Sequence, residues 1–370
     1  MAFFMNLPRE IRDDILDRVL LSERPVPAAR EDSEKNQTPL AGLEAYRWIS
    51  EDKPVFSDPQ TAQPTATALL LVSRQFHGET QDALKRLPDR GKRYKIDFVL
   101  MEERELWLTF VHVPLGCTAL EQVDFTVRLV GTMRGSEPGE KTQVSLTLLL
   151  ADGASDVTFG VYYALARFLK AGPTGKPPAT AESRTSDIDR GMTVRHLVLN
   201  FLSPADEGLL AGPGERSAWM ASRRSRRTPS SGDADIPSVE GAAAAEGGAT
   251  AVDYQTKLMR PEWLAKYTRS HLRMLIWGTA RLTLGYGRVL YERVGDIVFQ
   301  VDGETVGTLD LGVLIDGMPC QHRRTSKHYD RINAEFQEWH KSVLENRRAA
   351  GLWVGGSGPG TSKVISRPGW

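Results

Sequence analysis

Tyr94-Lys95-Ile96-Asp97-Phe98-Val99-Leu100 is the stretch from which the fold class is read. Tyr94, Ile96, Phe98 and Leu100 alternate with Lys95, Asp97 and Val99, the period of two that a half-buried strand requires. Downstream, Leu106 to Val113 is apolar on both faces and ends at Pro114. Val123, Phe125, Val127 and Leu129 alternate with Asp124, Thr126 and Arg128, and Val144, Leu146, Leu148 and Leu150 repeat the device. Strands this closely spaced imply a sheet.

Beyond it the period changes. Phe159, Tyr162, Tyr163, Ala166 and Leu169 make a helical stripe that Gly172 and Pro173 stop. Arg195 to Leu202 returns to strand alternation. Pro261 is placed for a helix start, and Trp263, Leu264, Tyr267, Leu272, Leu275 and Ile276 carry that helix to about Gly278. Asp296 to Val301 and Thr305 to Leu311 read as strands joined at Asp302-Gly303, a dipeptide suited to a tight hairpin turn. A last helix, about Tyr329 to Arg348, presents Ile332, Phe336, Trp339 and Val343, and 355–370 reads as a loose tail.

Upstream, Leu7 to Leu21 reads as a helix. Pro8 suits its first position, and Leu7, Ile11, Ile15 and Val19 recur every four residues. Arg9, Glu10, Arg12, Asp13, Asp14, Asp17 and Arg18 are assigned to the wet face. A second helix runs from about Ala66 to Leu84, with Leu69, Leu70, Val72 and Phe76 facing the first. Between them 22–67 loses all periodicity and reads as a long insertion, with at most one turn around Leu43 to Ile49. The segment near 205–251 is expected to be disordered, because its Gly, Ala, Ser, Pro and Arg content cannot bury enough apolar surface.

The expected fold is therefore α+β: an N-terminal helical hairpin over 1–91, then a mixed, mainly antiparallel sheet packed with helices over 94–348. The sequence has 370 residues, 41% hydrophobic and 25% charged, enough for a core without disulfides or metal. Lys plus Arg equals Asp plus Glu at 47 each, so no global field draws the chain to nucleic acid. Cys117 and Cys320 are the sole cysteines, which points to a reducing, intracellular setting, cytoplasmic or nuclear. The apolar run Val144 to Ala151 is far short of the ~20 residues a bilayer span needs, so no membrane role is expected.

Leu7-Pro8-Arg9-Glu10-Ile11 followed by Ile15 and Leu16, with the later block Leu70-Leu71-Val72-Ser73-Arg74-Gln75-Phe76, resembles the F-box-like start of many uncharacterised filamentous-fungal proteins. The resemblance implies that this unit binds the linker subunit of a cullin-RING ubiquitin ligase while the rest of the chain presents a substrate. Leu7, Pro8, Ile11, Ile15, Leu16, Val72 and Phe76 become the partner-binding candidates. The same residues also fit a helical hairpin packed on the chain's own sheet.

The remaining candidates are sparser. Arg223, Arg224, Arg226 and Arg227 form a dense basic cluster, without the interleaved aromatics that stack on bases. Cys320, His322 and His328 lack a second ligand pair at zinc spacing, so no metal is expected. Gly285-Tyr286-Gly287 lacks the third glycine of a dinucleotide loop, no Gly-x-Ser-x-Gly occurs, and no cofactor is expected. His77, His112, His196 and His271 fall within helices or strands, where packing is the commoner role. The functional expectation is a non-enzymatic interaction protein; its rival is an enzyme whose site is assembled from residues scattered in sequence.

Overall fold

The computed structural model describes residues 2–32, 36–40, 55–103, 105–132, 156–173, 191–224, 254–277, 283–318 and 327–355. Ten helices are named here: α1 (Ala2–Met5), α2 (Arg9–Leu20), α3 (Thr65–Leu70), α4 (Arg74–Arg86), α5 (Asp156–Ala171), α6 (Arg216–Arg224), α7 (Pro261–Trp277), α8 (Arg288–Arg293), α9 (Leu311–Asp316) and α10 (Lys327–Ala349). The strands are β1 (Thr38–Pro39), β2 (Val55–Ser57), β3 (Tyr94–Met101), β4 (Glu105–His112), β5 (Ala119–Val130), β6 (Thr193–Leu202), β7 (Val294–Val301) and β8 (Glu304–Asp310). They form one sheet in the order β1-β2-β4-β3-β5-β6-β7-β8. The expected mixed α+β class is what the chain adopts.

The balance of the sheet differs from expectation. Parallel pairing joins β2 to β4, β3 to β5, β5 to β6 and β6 to β7, while only β1–β2, β3–β4 and β7–β8 are antiparallel. The reason is connectivity. The chain passes through α5 between β5 and β6, and through α6, α7 and α8 between β6 and β7, and such crossovers return the next strand in the same direction. The antiparallel pairs β3–β4 and β7–β8 are those joined by short turns.

Alternation puts Tyr94, Ile96, Phe98 and Leu100 on one face with Phe125 and Val127, and all belong to the main core with α5 residues Tyr163, Leu165 and Phe168. Phe98 stacks on Phe125 with centroids 5.2 Å apart, and Phe168 meets Phe125 edge-on at 5.9 Å. The opposite face carries a smaller cluster of Val99, Met101 and Trp107 beside Phe56 and Val130. The β7–β8 hairpin turns at Asp302 and Gly303, whose φ values of 49° and 87° match the tight turn expected of that dipeptide. The Asp302 carboxylate accepts from Ser203 N and Oγ, and Gly303 N donates to Asn200 Oδ1, so the turn is fastened to the end of β6.

Three further expectations are corrected. The second N-terminal helix is not continuous: it breaks into α3 and α4, because Ser73 is extended and its hydroxyl caps α4 by accepting from Phe76 N. The hairpin is therefore a unit of three principal helices. The insertion 22–67 is not a bare loop, since β2 pairs in parallel with β4 and Arg24 N donates to Val111 O. Three residues of strand are too few to show alternation. Of the segment 205–251, residues 205–224 are ordered. Trp219 of α6 is fully buried and its indole donates to Lys257 O at 2.9 Å, while Arg216 lies over the Tyr267 ring. The strand expected at Val144–Leu150, the turn at Leu43–Ile49, the rest of the disordered stretch and all but the start of the tail lie outside the described residues.

Candidate functional site

The N-terminal helices have a core of their own. Leu16, Leu20, Ala66, Phe76, Ala83 and Leu87 form a cluster separate from the sheet core, with Phe4, Leu69, Leu70 and Val72 packed around it. Phe4 stacks on Phe76 with centroids 4.8 Å apart, so α1 closes the unit. Leu16 and Leu20 of α2 thus pack within the helical unit and not on the sheet.

Charges decide which side of α2 faces inward. Arg12 lies on the face expected to be wet, yet its Nε and Nη2 donate to both Glu79 oxygens at 3.0 and 2.7 Å, and Nη1 donates to Leu7 O at 2.6 Å. Glu79 is 3% exposed and also accepts from Gln75 Nε2. Arg12's hydrogen bonds hold its carboxyl below the usual range against the opposing effect of burial. Arg9 pairs with Asp82, and Arg86 with Asp13 and Asp17. Part of the expected wet face is therefore the α2–α4 interface.

The other row turns outward as a result. Ile11 is 49% exposed, Pro8 and Val19 are exposed, and Leu7 and Ile15 are half-buried, whereas Leu16 is 1% exposed. In the second block Phe76 is buried, Val72 is half-buried, and Leu71, at the α3–α4 break, is 80% exposed. The seven partner-binding candidates accordingly separate: Leu16 and Phe76 build the unit, and Leu7, Pro8, Ile11 and Ile15 present a partly open apolar row. Leu71 and Val19 were not among the candidates. For Leu71 the available signal was Ser73, whose capping habit places a break just after it.

Elsewhere, Arg223 and Arg224 end α6, and Arg226 and Arg227 lie outside the described residues, as do Cys320 and His322. Among the described residues no group of three or more His, Cys, Asp or Glu could hold a metal ion, and no helix is long and apolar enough to cross a membrane. His196, on β6, directs Nδ1 at the Asp296 carboxylate at 3.0 Å, and among the described residues no serine, threonine or cysteine hydroxyl or thiol is bonded to it. His112 is held between Ser22 O and Gly91 O, and His271 is buried on the edge of Phe159. Comparison of the chain with protein-family models, curated proteins and solved structures finds no match.

Proposed function

We propose that the chain is a non-enzymatic adaptor whose N-terminal helical unit docks a protein partner through the row Leu7, Pro8, Ile11 and Ile15 with Leu71, while the α+β body engages a second one. The observation that carries the reading is the open apolar row on a unit that already has its own core. α2 buries Leu16 and Leu20 in that core, and beside its ion pairs to α4 a second apolar row is left outward. The resemblance to F-box-like starts makes the linker subunit of a cullin-RING ubiquitin ligase the partner of choice, with substrate recruitment as the role.

The test is a pull-down of purified linker subunit with wild type, Ile11→Asp and Leu71→Asp. Wild type is expected to retain the linker and both variants to lose it while giving unchanged circular dichroism. Retention by both variants, or none by wild type, overturns the ligase reading.

A further inference from the structure

α7 divides its circumference between the core and solvent. Leu264, Thr268, Leu272, Leu275 and Ile276 are buried. The other side carries Lys266, Arg269 and Arg273, whose helical spacing puts them on one face about 10 Å long. Lys266 and Arg273 are exposed and Arg269 is half-buried.

Elsewhere in the body cations of this kind meet acids: Arg128 holds Asp97, Arg195 meets Glu121, and Arg288 pairs with Glu292. On this face they do not. Glu262, the one acid of α7, is held through both oxygens by Arg260. Among the described residues no carboxylate lies within ion-pair distance of Lys266, Arg269 or Arg273, nor of Arg216 on the adjoining α6. Two of these four groups are nonetheless fixed in place. Arg269 Nη1 donates to Val306 O of β8 at 2.8 Å, and Arg216 lies over the Tyr267 ring with its Cζ 4.6 Å from the centroid. Both contacts leave guanidinium donors without a partner among the described residues, so the ordering cost of binding a carboxylate there is already met in part.

We infer that this face of α7 docks an acidic segment of a partner protein, whose carboxylates pair with Lys266 and Arg273 and with the remaining donors of Arg269 and Arg216. Guanidinium donors match carboxylate geometry, and a face of about two helical turns suits a short peptide. Other polyanions fit less well. Tyr267 is taken by Arg216 and Trp263 meets Trp219 edge-on, which disfavours the base stacking that holds single-stranded nucleic acid. Met274, 41% exposed, is the one exposed large apolar residue of α7, too little for insertion into a lipid surface. The inference rests on the reading that the α+β body engages a second partner, and is independent of the apolar row of α2 and of the ligase linker.

The test is fluorescence anisotropy of the full chain with a fluorescein-labelled deca-glutamate peptide, and no linker subunit is present, so its outcome is separate from that of the pull-down. Labelled oligothymidylate and vesicles of phosphatidylserine and phosphatidylcholine are titrated in parallel. The peptide is expected to bind saturably, and less tightly as salt is raised. Lys266→Gln combined with Arg273→Gln is expected to weaken it at least about tenfold with unchanged circular dichroism, because both side chains are exposed and unpaired. Lys341→Gln combined with Arg348→Gln removes the same charge from exposed positions of α10 and is expected to leave binding unchanged. Absence of saturable peptide binding, equal loss in the two double variants, or tighter binding of oligothymidylate or vesicles than of peptide overturns the assignment.

Discussion

The sheet body and the N-terminal helical unit handle apolar residues differently. In the body the inward residues of β3, β4, β5, β6 and β7 merge with α5, α7 and α8 into one continuous core, so Phe98, Phe125 and Phe168 are all sealed. The helical unit has few buried apolar residues, and much of the α2–α4 contact is made by Arg12, Glu79, Arg86, Asp13 and Asp17. A core of that size leaves apolar side chains over, and Ile11 and Leu71 are the surplus. The body's core is continuous across sheet and helices, whereas the helical unit's core is small and partly made of ion pairs.

The largest effect that would test the contrast is expected in the body. Phe125→Ala removes a ring that stacks on Phe98 and meets Phe168 edge-on, and is expected to cost about 3–5 kcal/mol. Chemical denaturation followed by tryptophan fluorescence measures it. A loss below about 1 kcal/mol, the scale of an ordinary surface change, would mean the body is not the tightly packed partner in this comparison. Gly303→Val probes the body's edge: φ of 87° is disfavoured for a branched side chain, and a loss of about 1–3 kcal/mol is expected in thermal melts. Nothing lies within 4 Å of the added Cβ, so the whole effect would be backbone strain.

Acid should separate the two regions. Burial pushes His271 of α7 down to about 4 from an ordinary 6.5, and neither ring nitrogen has a partner among the described residues. The folded state keeps this imidazole neutral while the unfolded chain takes up a proton below 6.5. Stability from this site is therefore complete above 6.5 and is lost as pH falls from 6.5 toward 4. The loss is about 1–2 kcal/mol once solvent screening is allowed for. Glu79 has the opposite protonation logic, a carboxyl lowered from an ordinary 4.5, so its contribution is present above 4.5 and disappears only below that. Hydrogen exchange at pH 7, 5 and 3.5 should show α7 losing protection first and α2–α4 only at the lowest pH. His271→Phe should remove the first step, and a helical unit that opened before α7 would reverse the assignment.

What was legible in the sequence follows the same division. Tyr94, Ile96, Phe98 and Leu100 announced their strand because one sheet face is wholly apolar, and Asp302-Gly303 announced its turn because few dipeptides tolerate positive φ at both positions. The parallel order was not legible: it depends on where α5 and α7 return the chain, which no local period records. Trp219 was hidden by the Gly, Ser and Arg around it. At the candidate site, the sequence could not tell which row of α2 is buried, because Leu16 and Leu20 are as apolar as Ile11 and Ile15. The choice is made by Arg12 and Glu79, far apart in sequence.

The smallest expected effect is the sharpest test of the helical unit. Ile11 and Leu16 are apolar residues on the same helix, 49% and 1% exposed. Leu16→Asp places a carboxylate in the cluster of Ala66, Phe76 and Ala83, and should unfold the unit or cost several kcal/mol. Ile11→Asp places the same group at the surface, where the change should stay within about 0.5 kcal/mol. Thermal melts of the two variants beside wild type read the difference directly. If both unfold the unit, the row Leu7, Ile11 and Ile15 is spent on internal packing and no surface remains for a partner. If Leu16→Asp alone does so, any loss of partner binding by Ile11→Asp belongs to the interface, because the protein that failed to bind was still folded.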